Sequence, residues 1–407
     1  MPAFSKFKFL CALTLSTFAG NLLAGNFDGV DAELGLEARY FLEEGLAEQD
    51  KLHPSLRLEV ETAYSYDDDD FQIKLFGRYD EQDKERSHFD VREASWTHVG
   101  SSWEFKVGVS KVFWGVTESR HLVDVINQSD SVENLDGEDK LGQLMTKFSI
   151  EQDWGTIDLF WLPYFRERTF AGQDGRFLAT PLIIDTDNAQ YESSAEQWHS
   201  DFAVRYSHYV GDLDFALSHF SGTSRDPSLN FNGSFTNPKL NPYYAIVDQT
   251  GLELQYIYDE WLLKFEGITN SGTLNSAGGS ERYSAAVFGF EYTQVGIWDT
   301  SADLGWILEY LFDDRKESAP HNLERDIFAG WRYAFNDEDS SEILAGMIYD
   351  PKTEEVMYSI EANKRLASDL KLIIEARVFQ GAESDSSKKT FLLRDDDYFQ
   401  LELVKYF

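Results

Sequence analysis

The chain closes with Tyr398-Phe399-Gln400-Leu401-Glu402-Leu403-Val404-Lys405-Tyr406-Phe407, and this stretch decides the predicted fold. Successive side chains of a β-strand point to opposite sides, so Phe399, Leu401, Leu403 and Phe407 share one face. Gln400 and Glu402 share the other face. The alternation predicts a strand that separates an apolar environment from a polar one.

The same alternation recurs along the chain in segments of about ten residues. Leu370, Leu372, Ile374, Ala376 and Val378, for example, oppose Lys371, Glu375 and Arg377. Eighteen candidate strands lie near residues 28–42, 54–66, 71–80, 87–98, 102–113, 142–152, 156–166, 198–209, 212–221, 243–258, 261–269, 282–294, 302–312, 325–335, 342–349, 355–365, 369–380 and 396–407.

The connections between these strands alternate between tight turns and long loops. Tight turns on one side, long loops on the other and an even number of strands are typical of outer-membrane barrels. The sequence therefore predicts an all-β fold, a transmembrane antiparallel up-and-down β-barrel of about 18 strands. Sixteen strands is the nearest alternative, and a soluble β-sandwich or propeller is the competing class.

The N-terminus has the organisation of a secretory signal peptide. Lys6 and Lys8 precede a short apolar run, and Ala24 is the best last residue before cleavage, although the site is ambiguous. The apolar run is far shorter than the roughly 20 residues of a membrane-spanning helix. We expect a signal peptide at 1–24, which contains the only cysteine, Cys11, and an outer-membrane barrel at 25–407.

Composition narrows the function classes. With 72 acidic and 36 basic residues, the chain carries a formal charge of −36, so nucleic acid is not an expected partner. Aromatic residues make up 15 % of the sequence, as expected for the girdles of a membrane barrel. We expect the outer membrane of a Gram-negative bacterium, with its lipid and lipopolysaccharide as surroundings.

Two segments resemble known sequences: the C-terminal strand resembles an assembly signal, and residues 91–130 resemble a family. The C-terminal strand ending at Phe407 is similar to the sequence that the barrel-assembly machinery recognises, except for Lys405. Residues 91–130 resemble an outer-membrane family of unknown function and, more loosely, alginate-export porins. That resemblance rests on Arg92-Glu93-Ala94, Val107-Gly108, Trp114-Gly115, Asp124-Val125-Ile126-Asn127 and Asp130, with a departure at Gln128-Ser129. It implies a porin-like barrel without naming a solute.

The loop 114–141 is the predicted constriction. In general porins the third external loop folds into the lumen, and the resemblance extends this possibility to Asp124, Asp130, Glu133 and Asp136. A solvated surface loop is the alternative. The acidic run after Asp130 is rich in oxygen ligands but lacks the spacing of an EF-hand, so no metal site is expected.

Basic side chains are the predicted selectivity residues. On the first five strands they are Arg39, Arg57, Lys74, Arg78 and Lys106, and near the loop 167–197 they are Arg166, Arg168 and Arg176. They could set the charge preference of the pore. Alternatively, wall charges neutralise each other, and the loop packs in the barrel mouth.

These features favour a passive, partly selective channel for small solutes, without a cofactor. A conduit or exporter for a polysaccharide or lipid-like substrate, working with a periplasmic partner, is the alternative. An enzyme is not expected: the eight histidines suggest no catalytic group, and His121 merely lies near Ser119 and Asp124 in sequence. The expected start of the first strand close to the signal leaves no room for a plug domain.

Overall fold

A computed structural model describes residues 26–178, 180–275, 278–319, 323–382, 385–386 and 388–407. The predicted signal peptide at 1–24 lies outside the described residues. Within the described part, no helix has the length and apolar character needed to cross a membrane.

Eighteen antiparallel strands form one closed barrel, which confirms the predicted class and strand number. Each strand pairs with the next barrel strand in the chain, and the first pairs with the last, with Leu36 opposite Leu403. The barrel strands are β1 Asn26–Phe41, β2 Leu52–Tyr66, β3 Asp69–Asp80, β4 Phe89–Val99, β5 Trp103–Ser110, β6 Gln143–Gln152, β7 Gly155–Leu162, β10 Asp201–Val210, β11 Leu213–Thr223, β14 Ile246–Tyr258, β15 Trp261–Leu274, β16 Ser280–Gln294, β17 Asp303–Asp313, β18 Ile327–Ala334, β19 Glu342–Tyr349, β20 Val356–Ala367, β21 Leu370–Gln380 and β22 Tyr398–Tyr406.

Four further short strands lie in loops at one end of the barrel and were not predicted from the sequence. They are β8 Ile183–Ile184, β9 Gln190–Tyr191, β12 Ser228–Phe231 and β13 Lys239–Tyr244, and they form a small separate sheet. Five short 3₁₀ turns complete the described elements: Thr186–Asn188, Glu196–Trp198, Ile297–Asp299, Lys316–Ser318 and Lys389–Leu393.

The outer face of the barrel is apolar. Side chains exposed there include Leu36, Leu58, Ile73, Leu159, Leu217, Leu263, Phe288, Leu308, Ile360 and Leu401, together with Trp103, Trp161, Trp261, Trp306 and Trp331. Charged side chains alternate with them and point inward. An exposed apolar surface of this size is unfavourable in water and favourable against lipid. The closed barrel can also stand in lipid because the backbone hydrogen bonds of its ladders are satisfied.

The two ends of the barrel differ. Connections such as 67–68, 153–154, 211–212, 259–260 and 368–369 are tight, and both ends of the strand series lie on that side. The opposite end carries the longest connections, 111–142, 163–200 and 224–245. In outer-membrane barrels short turns face the periplasm, so the long loops face outward. We call 111–142 the inner loop and 163–200 the cover loop.

Candidate functional site

The inner loop does not lie over the mouth; it passes through the barrel interior. It leaves β5 at Ser110 and returns to β6 at Gln143, and its middle is deeply buried, with Val123 and Ile126 fully inaccessible to solvent. Gly115 has φ +140°, and a Cβ there would lie 2.8 Å from His121 and 3.0 Å from Glu266. Only glycine fits this position without strain.

An apolar cluster attaches the loop to one half of the wall. Loop residues Leu122, Val123, Val125 and Ile126 belong to the same cluster as Val247, Ile268, Val287, Ile307, Leu311 and Phe328, which point inward from β14–β18. Gly251 on β14 makes room for the loop, because a Cβ there would lie 2.9 Å from Val123. Burial of this apolar surface holds the loop inside rather than in the external solvent.

Two wall carboxylates, Glu266 and Glu309, accept hydrogen bonds from loop residues 116–119, and we call this contact the latch. Glu266 on β15 accepts hydrogen bonds from the Val116 and Thr117 amides at 2.7 and 2.9 Å, and from the Thr117 hydroxyl at 2.7 Å. Glu309 on β17 accepts from the Glu118 and Ser119 amides at 2.8 Å each, and from the Ser119 hydroxyl at 2.6 Å.

The latch carboxylates are almost fully buried, at 0 % and 1 % exposure. A buried carboxylate is costly unless hydrogen bonds satisfy it, and several N–H and O–H donors converge on each one here. The loop and wall therefore depend on each other: without the loop, both carboxylates would lose these donors.

His121 adds a positive charge beside the latch. Its Nδ1 lies 3.8 Å from a Glu266 carboxylate oxygen, and its Nε2 lies 3.9 Å from Glu138. Burial alone would lower the pKa of His121, but these two carboxylates raise it to about 9. The imidazole is therefore cationic at neutral pH and partly offsets the negative charge of Glu266.

The other end of the inner loop is held by arginines of the opposite wall. Glu133 accepts from Arg78 at 2.7 Å, and Asp130 accepts from Arg92 at 2.7 Å. His88 lies 3.2 Å from Asp130, so His88, Asp130 and Glu133 bring three potential metal ligands together. Two guanidinium groups already neutralise the carboxylates, so this group is better explained as an ion-pair network than as a metal site.

The remaining predicted constriction residues also have partners. Asp136 pairs with Arg377 of β21 at 2.8 Å, and Asp124 pairs with Lys140 within the loop at 3.1 Å. Together with the latch, these contacts attach the loop to strands on both sides of the barrel. Among Asp124, Asp130, Glu133 and Asp136, the structure places every carboxylate inside the barrel, but it assigns them to anchoring contacts.

The basic wall residues point inward and are neutralised. Arg57 pairs with Glu402 at 2.5 Å, Lys74 with Glu59 at 2.8 Å, Lys106 with Glu93 at 3.3 Å, and Arg78 also with Glu37 at 3.0 Å. Arg39 donates to Gln400 at 2.7 Å and lies 5.0 Å from the Tyr398 ring. These basic side chains are therefore paired with neighbouring acidic or polar groups, and their role in selectivity stays a prediction.

The three arginines predicted near the cover loop attach it to a barrel strand and to neighbouring loops. Arg166 binds Asp90 at 2.6 Å, and Arg168 binds Asp226 at 2.8 Å. Arg176 is buried, pairs with Asp396 at 2.7 Å and lies 3.9 Å above the Phe41 ring. Such contacts are those of a cover loop that packs in the barrel mouth, which was the alternative interpretation.

Cavities lie on both sides of the inner loop. A cavity of about 770 Å³ toward the periplasmic turns has polar lining from Arg205, Glu253, Gln255 and Asp214 and is bounded by Val116 of the loop. A cavity of about 760 Å³ toward the outside is lined by Ser131, Asn134 and Leu135 of the same loop and by Gln173 and Phe177 of the cover loop. The inner loop is thus the partition between an outer and an inner vestibule.

Two of the key residues could have been recognised only in part from the sequence. The apolar–polar alternation of their strands places Glu266 and Glu309 on the polar face, but nothing in the sequence distinguishes them from other wall carboxylates. The missed indication is the apolar run Leu122-Val123-Asp124-Val125-Ile126, which a solvated loop would not favour.

Comparisons with known proteins support the fold. No family model and no curated protein matches the chain, so the family resemblance of residues 91–130 stays a prediction. The solved structure of Wzi, an outer-membrane protein involved in group 1 capsule assembly in Escherichia coli and described as a carbohydrate-binding β-barrel, is similar with a TM-score of 0.53. Identity is 10 %, and the match covers 92 % of this chain and 83 % of that one.

Other similar structures are outer-membrane barrels as well. A loop-deletion mutant of OmpT, an outer-membrane protein of Vibrio cholerae, has a TM-score of 0.47 at 13 % identity over 94 % of this chain and 100 % of that one. A mutant porin of Rh. blastica has a TM-score of 0.43 at 12 % identity, with the same coverages. The closed barrel, its apolar outer face and its charged interior identify the chain as an outer-membrane β-barrel of a Gram-negative bacterium.

Proposed function

We propose that the protein is a constricted passive channel for small hydrophilic solutes, with the inner loop as its filter. The observation that carries the proposal is the position of that loop: it crosses the barrel interior, is bound to both walls, and has a polar vestibule on each side. A filter of this kind restricts passage by size, because it is fixed by buried contacts rather than suspended in water.

The charge of the filter favours cations. Each of the five basic residues on the first strands has an acidic or polar partner, whereas Asp139 of the inner loop is exposed to the interior and has no ion pair among the described residues. Enclosure in the barrel and the neighbouring Glu133 and Asp136 raise the pKa of Asp139 to about 7. Negative groups beside a narrow path attract cations and repel anions.

Solute flux into proteoliposomes tests the proposal. Vesicles with the folded protein should admit amino acids and monosaccharides faster than oligosaccharides, and cationic solutes faster than anionic solutes of equal size. Vesicles carrying the heat-unfolded protein are the control. Equal exclusion of all solutes by a barrel that still shows heat-modifiable gel mobility would contradict a channel.

A second candidate is saccharide binding in the outer vestibule. Its lining combines the rings of Phe170 and Phe177 with the polar side chains of Asp83, Asn134 and Gln173, a combination suited to sugar rings and hydroxyls. The fold similarity to a carbohydrate-binding barrel is compatible with this function. A conduit wide enough for a polymer is disfavoured by the attachment of the inner loop to both walls. Calorimetric titration with oligosaccharides tests binding independently of flux.

A further inference from the structure

One face of the inner loop is open to the interior of the barrel. Val112 packs against the apolar cluster on the wall, whereas its neighbours Lys111 and Phe113 are exposed. This alternation is that of an extended segment with one side on the wall and the other in the lumen. The Phe113 ring is 59 % exposed, which is unfavourable in water, so the ring offers an apolar surface to a solute.

The returning half of the loop brings acidic groups to the same face. The Phe113 ring lies 4.7 Å from the His121 imidazole, and His121 Nε2 lies 3.9 Å from a Glu138 carboxylate oxygen. Asp139 follows Glu138, and both side chains are exposed. A short chain of neighbouring side chains therefore joins Phe113 to Asp139 across the loop.

Asn127 fixes the two halves of the loop to each other. Its carboxamide oxygen accepts a hydrogen bond from the Val112 amide at 2.9 Å, directly beside Lys111. Its carboxamide nitrogen donates to the Leu141 carbonyl at 2.9 Å, two positions beyond Asp139. Lys111 and Asp139 therefore lie near each other, where the loop leaves the wall and rejoins it.

Lys111 and Asp139 carry opposite charges but do not pair. Among the described residues, neither side chain forms an ion pair or a hydrogen bond. Enclosure in the barrel, together with Arg92 and Lys74, lowers the pKa of Lys111. Asp139 opposes this shift, so its carboxylate lies within electrostatic reach of the Lys111 ammonium. The gap between the two groups can be bridged by a solute that carries both charges.

We propose that Lys111, Phe113 and Asp139 form a binding site for zwitterionic amino acids with an apolar side chain, a proposal that rests on the channel function above. An α-amino acid carries its ammonium and carboxylate on one carbon atom, so both charges reach the gap together. Lys111 binds the carboxylate, Asp139 binds the ammonium, and the Phe113 ring contacts the apolar side chain. The site is open to water on one side, so the solute also leaves, as passage through a filter requires.

This site is compatible with a preference for small cations. His121 shares its positive charge between Glu138 and Glu266. With Lys111 and Asp139 included, this part of the filter keeps a negative balance, so cations remain the preferred inorganic ions.

Calorimetric titration into the full chain, folded in detergent, tests the site without relying on flux. The titration is done at pH 8, where Asp139 is ionised because its pKa is about 7. The four probes are phenylalanine, glycine, 2-phenylethylamine, which lacks the carboxylate, and 3-phenylpropionate, which lacks the ammonium. We expect saturable binding of phenylalanine and about tenfold weaker binding of each other probe, the effect of losing one charge-assisted hydrogen bond or one apolar contact.

Three variants assign the three roles. K111Q should remove the preference for phenylalanine over 2-phenylethylamine, and D139N should remove the preference over 3-phenylpropionate. F113A should remove the preference over glycine. K371Q is the matched control, because Lys371 also faces inward but lies near the periplasmic end of β21, and it should bind all four probes as the wild type does.

Single-channel conductance separates this proposal from the channel itself. A conducting wild type that does not bind phenylalanine, or variants that weaken all four probes alike, would overturn the amino-acid site and leave the channel standing. Phenylalanine binding with the expected variant pattern in a barrel that conducts no ions would support the site and contradict the channel.

Discussion

Replacing Glu309 by Gln should loosen the inner loop and enlarge the channel. The carboxylate accepts three hydrogen bonds from the loop at 2.6–2.8 Å and is 1 % exposed. Glutamine keeps the shape but removes the charge, and it presents an amide N–H₂ where one oxygen accepted. Hydrogen bonds to charged groups contribute about 1.5–3 kcal/mol each, against about 0.5–1.5 kcal/mol for neutral ones.

Losing one of three bonds outright and weakening two gives a loss of about 3 kcal/mol in anchoring free energy. Since about 1.4 kcal/mol corresponds to a factor of ten, the population of the released loop should rise about 100-fold. E266Q should act in the same direction. The two effects should not be additive, because both carboxylates hold one short segment.

Single-channel recording measures this population as the fraction of time spent in a higher conductance level. E402Q is the matched control: Glu402 is also a buried wall carboxylate, but it pairs with Arg57 and does not touch the loop. An E309Q channel with the wild-type distribution of conductance levels, or an E402Q channel with the same increase as E309Q, would refute the latch.

Three further predictions follow from other contacts. R176A should leave the buried Asp396 without its ion pair, which costs about 3–5 kcal/mol locally, and should expose the cover loop to limited proteolysis, whereas R176K should be cut more slowly. Cation selectivity, measured as a reversal potential, should increase between pH 6 and pH 8. The reason is that the pKa of Asp139 is about 7, so its carboxyl group is neutral below pH 7 and negative above it. A D139N channel should lose this pH dependence. Deletion of Phe407 should lower the amount of folded barrel in cells without changing the heat-modifiability of what assembles, if the assembly machinery recognises the final strand; unchanged amounts would contradict that role.

The barrel could be predicted from the sequence because the physical cause of its pattern is local. Each strand faces lipid on one side and water or charges on the other, so Leu372 and Ile374 alternate with Lys371 and Glu375 without reference to any distant residue. The number of strands followed from counting such segments and from the tight turns between them.

The latch could not be predicted in the same way. Glu266 and Glu309 are distinguished from other wall carboxylates only by loop residues about 150–190 positions away in sequence. The wall that contacts the inner loop did carry an indication: on β17, Ile307 and Leu311 are apolar at inward-facing positions on either side of Glu309, so the alternation is partly lost there. Strands buried on both faces lose alternation, and here this loss marks where the loop packs.

The contacts of the acidic run after Asp130 escaped prediction for a related reason. Its carboxylates are neutralised by Arg78 and Arg92, which lie on the wall and are distant in sequence.

Single-channel conductance of the wild-type protein in a planar bilayer under a salt gradient is the sharpest test of whether the barrel is a constricted, cation-selective channel. We expect a small, stable conductance with a reversal potential on the cation side, because the inner loop narrows the lumen and exposes the Asp139 carboxylate to it. A folded barrel that conducts no ions, or one that prefers anions, would contradict it.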